Sequence, residues 1–177
     1  GYIPDKQRKE IFKKARKREV TADGLIGGSI IDTIWVTRDV ARAAVSQRMD
    51  DERITNEEAD RLLAAYRTSD RYYVHVRYST LPGGPEINEK GLFLQRASSS
   101  QVFSRATYEK GLVFDSGIKT TVEDETVILA FPKKSEGGEA IVRSLDDKIE
   151  ISIKTQFKRP SVTIYSVKDL VKDVKDL

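Results

Sequence analysis

The spacing of apolar residues along the chain changes once, between Arg67 and Tyr72. Before this point, apolar side chains recur every three or four residues, which is the period of a helix with one buried face. After it, apolar and polar residues alternate, as they do in a half-buried strand; Tyr72, Val74, Val76 and Tyr78 share one face. The pattern predicts a helical first third followed by a β-rich body.

The first third divides into three predicted helices. The first covers residues 5–20, and the second covers residues 29–48, with Asp32 near its start in a variant of the capping box. The third begins at Thr55, where a Thr-x-x-Glu sequence ending in Glu58 precedes an apolar helix face. Short loops rich in glycine or acidic residues separate the three segments.

The remainder predicts many short strands and a closing helix. Strands are expected over residues 72–78, 91–96, 101–105, 112–115, 119–122, 126–131, 140–145, 148–155 and 161–166, and a helix over residues 167–177. We therefore expect an α+β fold in which three N-terminal helices pack on an antiparallel β-sandwich or curled sheet of about eight strands. It would form one domain over residues 1–177, with a helical subregion (1–68) packed through Trp35 and Leu62 on a β-rich body (70–177).

Composition removes several classes of chemistry. The chain has no cysteine and a single histidine, His75. This excludes zinc ribbons, thiol nucleophiles, disulfide frameworks and any metal site that needs several histidines from one chain. The sequence also lacks a dinucleotide-binding fingerprint, a phosphate loop with its lysine, and a serine nucleophile elbow. We therefore predict no catalytic residue, no metal site and no cofactor.

Positive charge is concentrated near the N-terminus. The formal net charge is +3, and residues 5–19 contain eight basic residues against three acidic ones. Such clusters bind anionic lipid headgroups or nucleic-acid phosphates. Because these bases surround the predicted helix and only Phe12 could stack on a base, nucleic acid is disfavoured and a solvated helix is the simplest interpretation. The candidate surface consists of Lys6, Arg8, Lys9, Lys13, Lys14, Arg16, Lys17 and Arg18.

The order of the segments resembles a group of bacterial proteins. A helical segment with Asp-Thr-Ile-Trp at residues 32–35 is followed by an aromatic strand at residues 72–76, and a later strand ends in Ala-Phe-Pro at residues 130–132. This layout is similar to uncharacterised exported or lipoprotein-like bacterial proteins with a helical N-terminus and a β-sandwich body. The resemblance implies the cell envelope, with the basic segment just beyond a membrane anchor. Since the chain begins at Gly1, we expect a processed product that is periplasmic or membrane-anchored after loss of an export signal.

Three functions are consistent with these features. The first is a non-enzymatic envelope protein that acts as a protein-interaction or structural module, with a partner that the sequence does not identify. The second is a binder of nucleic acid or of an anionic surface, such as a membrane, through the basic N-terminal segment. The third is a hydrolase whose carboxylates come together only in the folded chain.

Overall fold

The structure is a computed structural model that describes residues 1–22, 28–67, 70–80, 87–108, 124–155 and 161–177. Its helices are α1 (Asp5–Ala15), α2 (Arg38–Glu52), α3 (Asn56–Arg67) and α4 (Val167–Leu170), followed by a 3-10 helix (Val174–Asp176). Its strands are β1 (Arg16–Ala22), β2 (Gly28–Trp35), β3 (Arg71–Thr80), β4 (Ile87–Arg96), β5 (Ser99–Arg105), β6 (Thr107–Tyr108), β7 (Asp124–Pro132), β8 (Lys148–Thr155) and β9 (Ser161–Ser166).

The described strands form two antiparallel sheets. The first has the order β1-β2-β3-β7-β6, in which β6 contributes two residues, and the second has the order β5-β4-β8-β9. Contacts between β1 and β9 and between β5 and β7 bring the edges of the two sheets together. The inner faces of both sheets contribute to one cluster of buried apolar side chains, and the single-domain expectation stays a prediction.

The prediction of three N-terminal helices packed on a sandwich or curled sheet is wrong, and so is the purely helical subregion over residues 1–68. Helix α1 ends at Ala15, and the chain continues directly into strand β1. Strand β1 pairs along its length with β2, which places Arg18 opposite Asp32. The charged residues 16–19, which suggested a longer helix, therefore belong to a strand, and the acidic Asp32 on β2 faces one of them, Arg18.

The second helix also begins later than predicted, because residues 28–35 form strand β2. This strand lies between β1 and β3, and side chains on both of its faces are buried, including Ile31, Asp32 and Ile34. A strand that is buried on both faces shows no alternation of apolar and polar residues. Its continuous apolar run therefore cannot be distinguished from a buried helix by spacing alone. Helix α2 starts only after Thr37, whose Oγ1 accepts a hydrogen bond from the amide of Val40 at 3.2 Å.

Other local predictions are confirmed. At the start of α3, the amide of Glu58 donates to Thr55 Oγ1 at 3.2 Å, and the Glu58 carboxylate accepts from the Thr55 amide at 2.9 Å. This is the reciprocal pair of a capping box. Strands β8 and β9 occupy the predicted residues 148–155 and 161–166, and β3 contains the predicted strand at 72–78.

Two predicted elements differ from the structure, and two lie outside it. Residues 140–145 make one isolated bridge, between Ala140 and Lys134, and no strand. The closing helix is interrupted, since α4 stops at Leu170 and a single 3-10 turn follows. The strands predicted at residues 112–115 and 119–122 fall outside the described residues.

Trp35 and Tyr165 join the two sheets in the core. The Trp35 ring lies 5.8 Å from the Tyr165 ring on β9 and 5.3 Å from the Tyr72 ring on β3. The Tyr165 hydroxyl oxygen lies 2.8 Å from two backbone carbonyl oxygens, those of Ala15 and Thr33, so its one proton is shared between two acceptors. Burial raises the pKa of Tyr165, since its phenolate would lose hydration there. Trp35 is thus a core residue as expected, although it lies on a strand.

Candidate functional site

The basic residues of the N-terminal segment do not form one surface, since several are committed to the fold. Arg8 is buried, with 3% of its surface exposed. Its Nη2 lies 2.9 Å from Asp50 Oδ2 on α2, and its Nη1 donates to the carbonyl of Ile3 at 2.9 Å. Desolvation lowers the pKa of Arg8, but the hydrogen bonds that it donates to Tyr2 and Asp50 outweigh this effect, and the pKa is raised overall. Arg8 therefore fastens α1 to α2.

Arg16 and Arg18 are committed to the buried carboxylate of Asp32. Arg18 binds it with two hydrogen bonds, Nε to Oδ1 at 2.9 Å and Nη2 to Oδ2 at 3.1 Å. Arg16 Nη2 donates to Oδ2 at 3.4 Å, and Arg77 Nη2 on β3 lies 3.8 Å from the same oxygen. Burial by itself would raise the pKa of Asp32, but Arg18 and Arg16 hold it below its ordinary value.

The lysines of α1 are the part of the predicted surface that stays accessible. Lys6, Lys9, Lys13 and Lys14 are exposed, while Phe12 and Ala15 on the other side of the helix are buried. Lys17 on β1 is also exposed, and its Nζ lies 5.6 Å from the centre of the Tyr165 ring. The predicted binding of an anionic surface by these lysines therefore remains a hypothesis.

A second concentration of positive charge, which the sequence did not indicate, surrounds a cavity of about 320 Å³ at the beginning of α2. We call this cavity the basic pocket. Five basic side chains and one acidic side chain, Asp176, line it. The basic residues are Arg38, Arg42, Arg71, Lys133 and Lys175.

Each base of the pocket is held by a neighbour. Arg71 Nη1 donates to Thr107 Oγ1 at 2.6 Å, and Arg42 Nη1 donates to Asp39 Oδ1 at 3.3 Å. Two others form longer ion pairs: Arg38 Nη1 lies 3.8 Å from Asp176 Oδ1, and Lys175 Nζ lies 3.5 Å from Asp173 Oδ2. Lys133 makes a cation–π contact, with its Nζ 5.3 Å from the centre of the Tyr72 ring. These contacts position the cations around the cavity.

The first turn of α2 adds to the positive potential of the pocket. Thr37 and Arg38, at the N-terminus of this helix, both line the cavity. The first amides of a helix have no partner within it, and the aligned peptide dipoles leave about half a positive charge at this end. Arg42 follows Arg38 by one turn and so lies on the same side of α2. The arrangement is suited to binding an anion.

The remaining wall of the pocket is apolar and aromatic. Val36, Ala41 and Leu63 line it together with Tyr72 and Tyr73. Tyr72 is buried, and burial raises its pKa to about 12. It is therefore neutral at physiological pH and presents its ring to the pocket rather than a charge. A ligand in the cavity would thus meet both cations and apolar surface.

The sequence could not reveal the pocket because its residues come from five separated segments. Residues 36–42, 63, 71–73, 133 and 175–177 all contribute, and none carries a recognisable motif. The local signal that was available is Thr37, which caps α2 three residues before Val40. The predicted helix over residues 29–48 has its N-terminus at residue 29, so the prediction did not recognise Thr37 as a helix cap.

The described residues hold no cluster of three or more histidine, cysteine, aspartate or glutamate side chains that could bind a metal ion. His75 lies on β3, paired with Ile34 on one side and Ile128 on the other, and is buried. Among the helices that the structure describes, none is long and apolar enough to cross a membrane.

Comparison with known proteins adds a fold relative. No protein-family model matches the chain, and no curated protein matches it. A crystal structure of a protein of unknown function from Burkholderia pseudomallei is similar, with a TM-score of 0.51 and 12% sequence identity, over 93% of this chain and 84% of that one. At this identity the likeness concerns the fold alone. It supports an α+β protein of unknown function and carries no information about export or lipid attachment.

Proposed function

We propose that this protein is a non-catalytic binding module that holds an anionic group of a partner molecule in the basic pocket. The observation that carries the proposal is the lining of the cavity, which contains five basic side chains and one acidic side chain beside the N-terminus of α2. Charge of one sign in a cleft with low-dielectric walls concentrates ligands of the opposite sign. The apolar wall then adds contact area for the body of the ligand.

The chemistry of the lining favours binding over hydrolysis. Acid–base hydrolysis of a glycoside requires two carboxylates on either side of the scissile bond. Among the described residues that line the pocket, Asp176 is the one with a side-chain carboxylate, and it faces Arg38. Guanidinium groups, by contrast, are the side chains that best match a carboxylate or a phosphate.

The experiment compares two arginines of similar exposure. The side chains of Arg38, in the pocket, and Arg143, outside it, are 58% and 62% exposed, and each lies near one carboxylate, at 3.8 and 3.7 Å. Titration of citrate and inorganic phosphate by NMR should shift pocket resonances, and Arg38→Ala should weaken binding about tenfold or more. Arg143→Ala should leave it unchanged. Equal effects of both substitutions, or no shifts at about 10 mM anion, would contradict the proposal.

Envelope association is the second part of the proposal, and the exposed lysines of α1 support it. Lys6 and Lys13 lie on the solvent side of α1, where they are available to anionic headgroups. Vesicles containing phosphatidylglycerol should sediment the protein at low salt, whereas phosphatidylcholine vesicles should not. Replacing both lysines by glutamate should abolish sedimentation, while the same change at the exposed Lys168 and Lys172 should not.

The same four substitutions distinguish the nucleic-acid alternative. One outcome is that the wild-type protein binds a single-stranded oligonucleotide, the Lys6→Glu/Lys13→Glu variant does not, and neither protein binds vesicles. The N-terminal lysines would then bind nucleic acid, and the envelope proposal would be refuted. Binding of vesicles alone upholds it. In both cases the affinity should fall as salt is raised, because the contacts are with exposed charges.

A further inference from the structure

We propose that the basic pocket takes a small carboxylic acid, with its carboxylate at Arg38 and an apolar body against Leu63 and Tyr72. This inference rests on the proposed function and narrows it from any anion to one class. It uses three properties of the pocket: the position of its own carboxylate, the apolar and aromatic residues that line it beside the cations, and its size.

The carboxylate of Asp176 indicates where the head of the ligand lies. Its Oδ1 faces Arg38 Nη1 at 3.8 Å, a distance too long for a hydrogen bond. Both side chains are more than one third exposed, so this pair contributes little to stability. A ligand carboxylate can approach closer and accept two parallel hydrogen bonds from the guanidinium, which is the stronger arrangement. It would displace Asp176 from Arg38 at little cost.

The apolar wall selects the body of the ligand. Leu63 from α3 and Ala41 from α2 face the cavity together with the buried Tyr72. Lys133 lies over the Tyr72 ring, so one face of that ring is already covered by a cation. Apolar surface removed from water at such a wall strengthens binding in proportion to its area. A carboxylic acid with a ring or a branched chain therefore gains more here than acetate does.

The size of the pocket excludes large ligands. Small-molecule sites have volumes of about 300–1,000 Å³, and the basic pocket, at about 320 Å³, is at the lower end. One ring with a carboxylate is appropriate for this space. A nucleotide, which carries several charges and a large polar body, is a poor match for both the volume and the apolar wall.

The test uses 4-fluorobenzoate, acetate and inorganic phosphate as probes of the full-length chain, with fluorine and protein NMR as readouts. We expect 4-fluorobenzoate to bind about tenfold more tightly than acetate, which has the same charge. Asp176→Asn should tighten 4-fluorobenzoate binding about two- to fivefold, because it removes the competing carboxylate. Leu63→Ala should weaken 4-fluorobenzoate binding and leave phosphate binding unchanged.

The outcomes separate this inference from the proposed function. If acetate and phosphate bind as well as 4-fluorobenzoate, or if Asp176→Asn leaves its affinity unchanged, the carboxylic-acid inference is wrong while the anion pocket stands. If none of the three probes binds, both are wrong. Circular dichroism of each variant verifies its fold, and the Asp176 variant tests the inference even if Leu63→Ala unfolds the protein.

Discussion

Replacing Asp32 by asparagine tests the buried ion cluster that holds β1 to the rest of the first sheet. The substitution keeps the size of the side chain and one oxygen, but it removes the negative charge. Arg16, Arg18 and Arg77 would then face one another around a neutral amide. The amide also places an N–H₂ group where Asp32 Oδ1 or Oδ2 now accepts hydrogen bonds, so donors would oppose donors.

The expected loss in the free energy of unfolding follows from the exposure of the arginines that pair with Asp32. Removing one member of a fully buried ion pair costs about 3–5 kcal/mol. Asp32 is 5% exposed, whereas the Arg18 and Arg16 side chains are 47% and 28% exposed and retain part of their hydration. Water therefore screens part of the charge, and we expect a loss of about 2–3 kcal/mol in the free energy of unfolding.

Urea denaturation measures this loss. With a slope of about 1–3 kcal/mol per molar urea, the midpoint should fall by about 0.7–3 M. Asp39→Asn is the matched control, because Asp39 is exposed and pairs with Arg42 at 3.3 Å. It should change the free energy of unfolding by less than about 0.5 kcal/mol. If the urea midpoint of the Asp32 variant differs from the wild-type midpoint no more than the midpoint of the Asp39 control does, the reasoning is refuted.

Acid denaturation tests independently whether the negative charge of Asp32 stabilises the fold. The pKa of Asp32 is lower in the folded protein than in the unfolded chain, so its charge stabilises the fold above the unfolded pKa. This contribution is lost as the pH falls through the folded pKa, which lies below the ordinary value of an aspartate. The difference between wild type and the asparagine variant should therefore shrink as the solution is acidified. A difference that stays constant down to the acid transition would show that the charge of Asp32 is not its source.

Three further predictions concern stability. Tyr165→Phe removes the hydroxyl that donates to two buried carbonyls, and we expect a loss of about 1–3 kcal/mol, measured by thermal denaturation. Tyr72 has its pKa raised from 10.0 to about 12, so its contribution is complete below pH 10 and is lost as the pH rises toward 12. Tyr72→Phe should accordingly flatten the alkaline fall in stability, and an unchanged alkaline transition would contradict this. Thr55→Ala removes the capping hydrogen bond to Glu58 and should cost about 1 kcal/mol, with serine at that position restoring most of it.

Elements with local signals were determined by the sequence. The start of α3 follows from Thr55 and Glu58, whose side chains satisfy each other's backbone amides within a single turn. The existence of strand β9 follows from the alternation of Val162 and Ile164 with Ser161 and Thr163. The choice of buried face does not follow from it, since Ser161, Thr163 and Tyr165 are buried while Val162 and Ile164 are exposed. In both cases the physical cause lies within a few residues of the element that it produces.

Strands β1 and β2 were decided by tertiary structure. The apolar spacing from Ser29 to Trp35 fits a helix or a buried strand equally well, and pairing with β1 and β3 selects the strand. Its β-branched residues, Ile30, Ile31, Thr33 and Ile34, were a signal in favour of the strand. For β1 this signal is weaker, since only Val20 and Thr21 are β-branched, and its Arg16 and Arg18 are held in the strand by hydrogen bonds to Asp32 on β2.

The basic pocket depended on tertiary structure still more. Arg38 and Lys133 are about a hundred residues apart in sequence, and only the folded chain brings them to the same cavity. The sequence did determine the positive charge and its excess near the N-terminus. The fold then divided that charge, neutralising Arg8, Arg16 and Arg18 with Asp50 and Asp32, and gathered other bases around the start of α2. Because electrostatic interaction depends on distance in space and on burial, charge along the chain could not predict where an anion would bind.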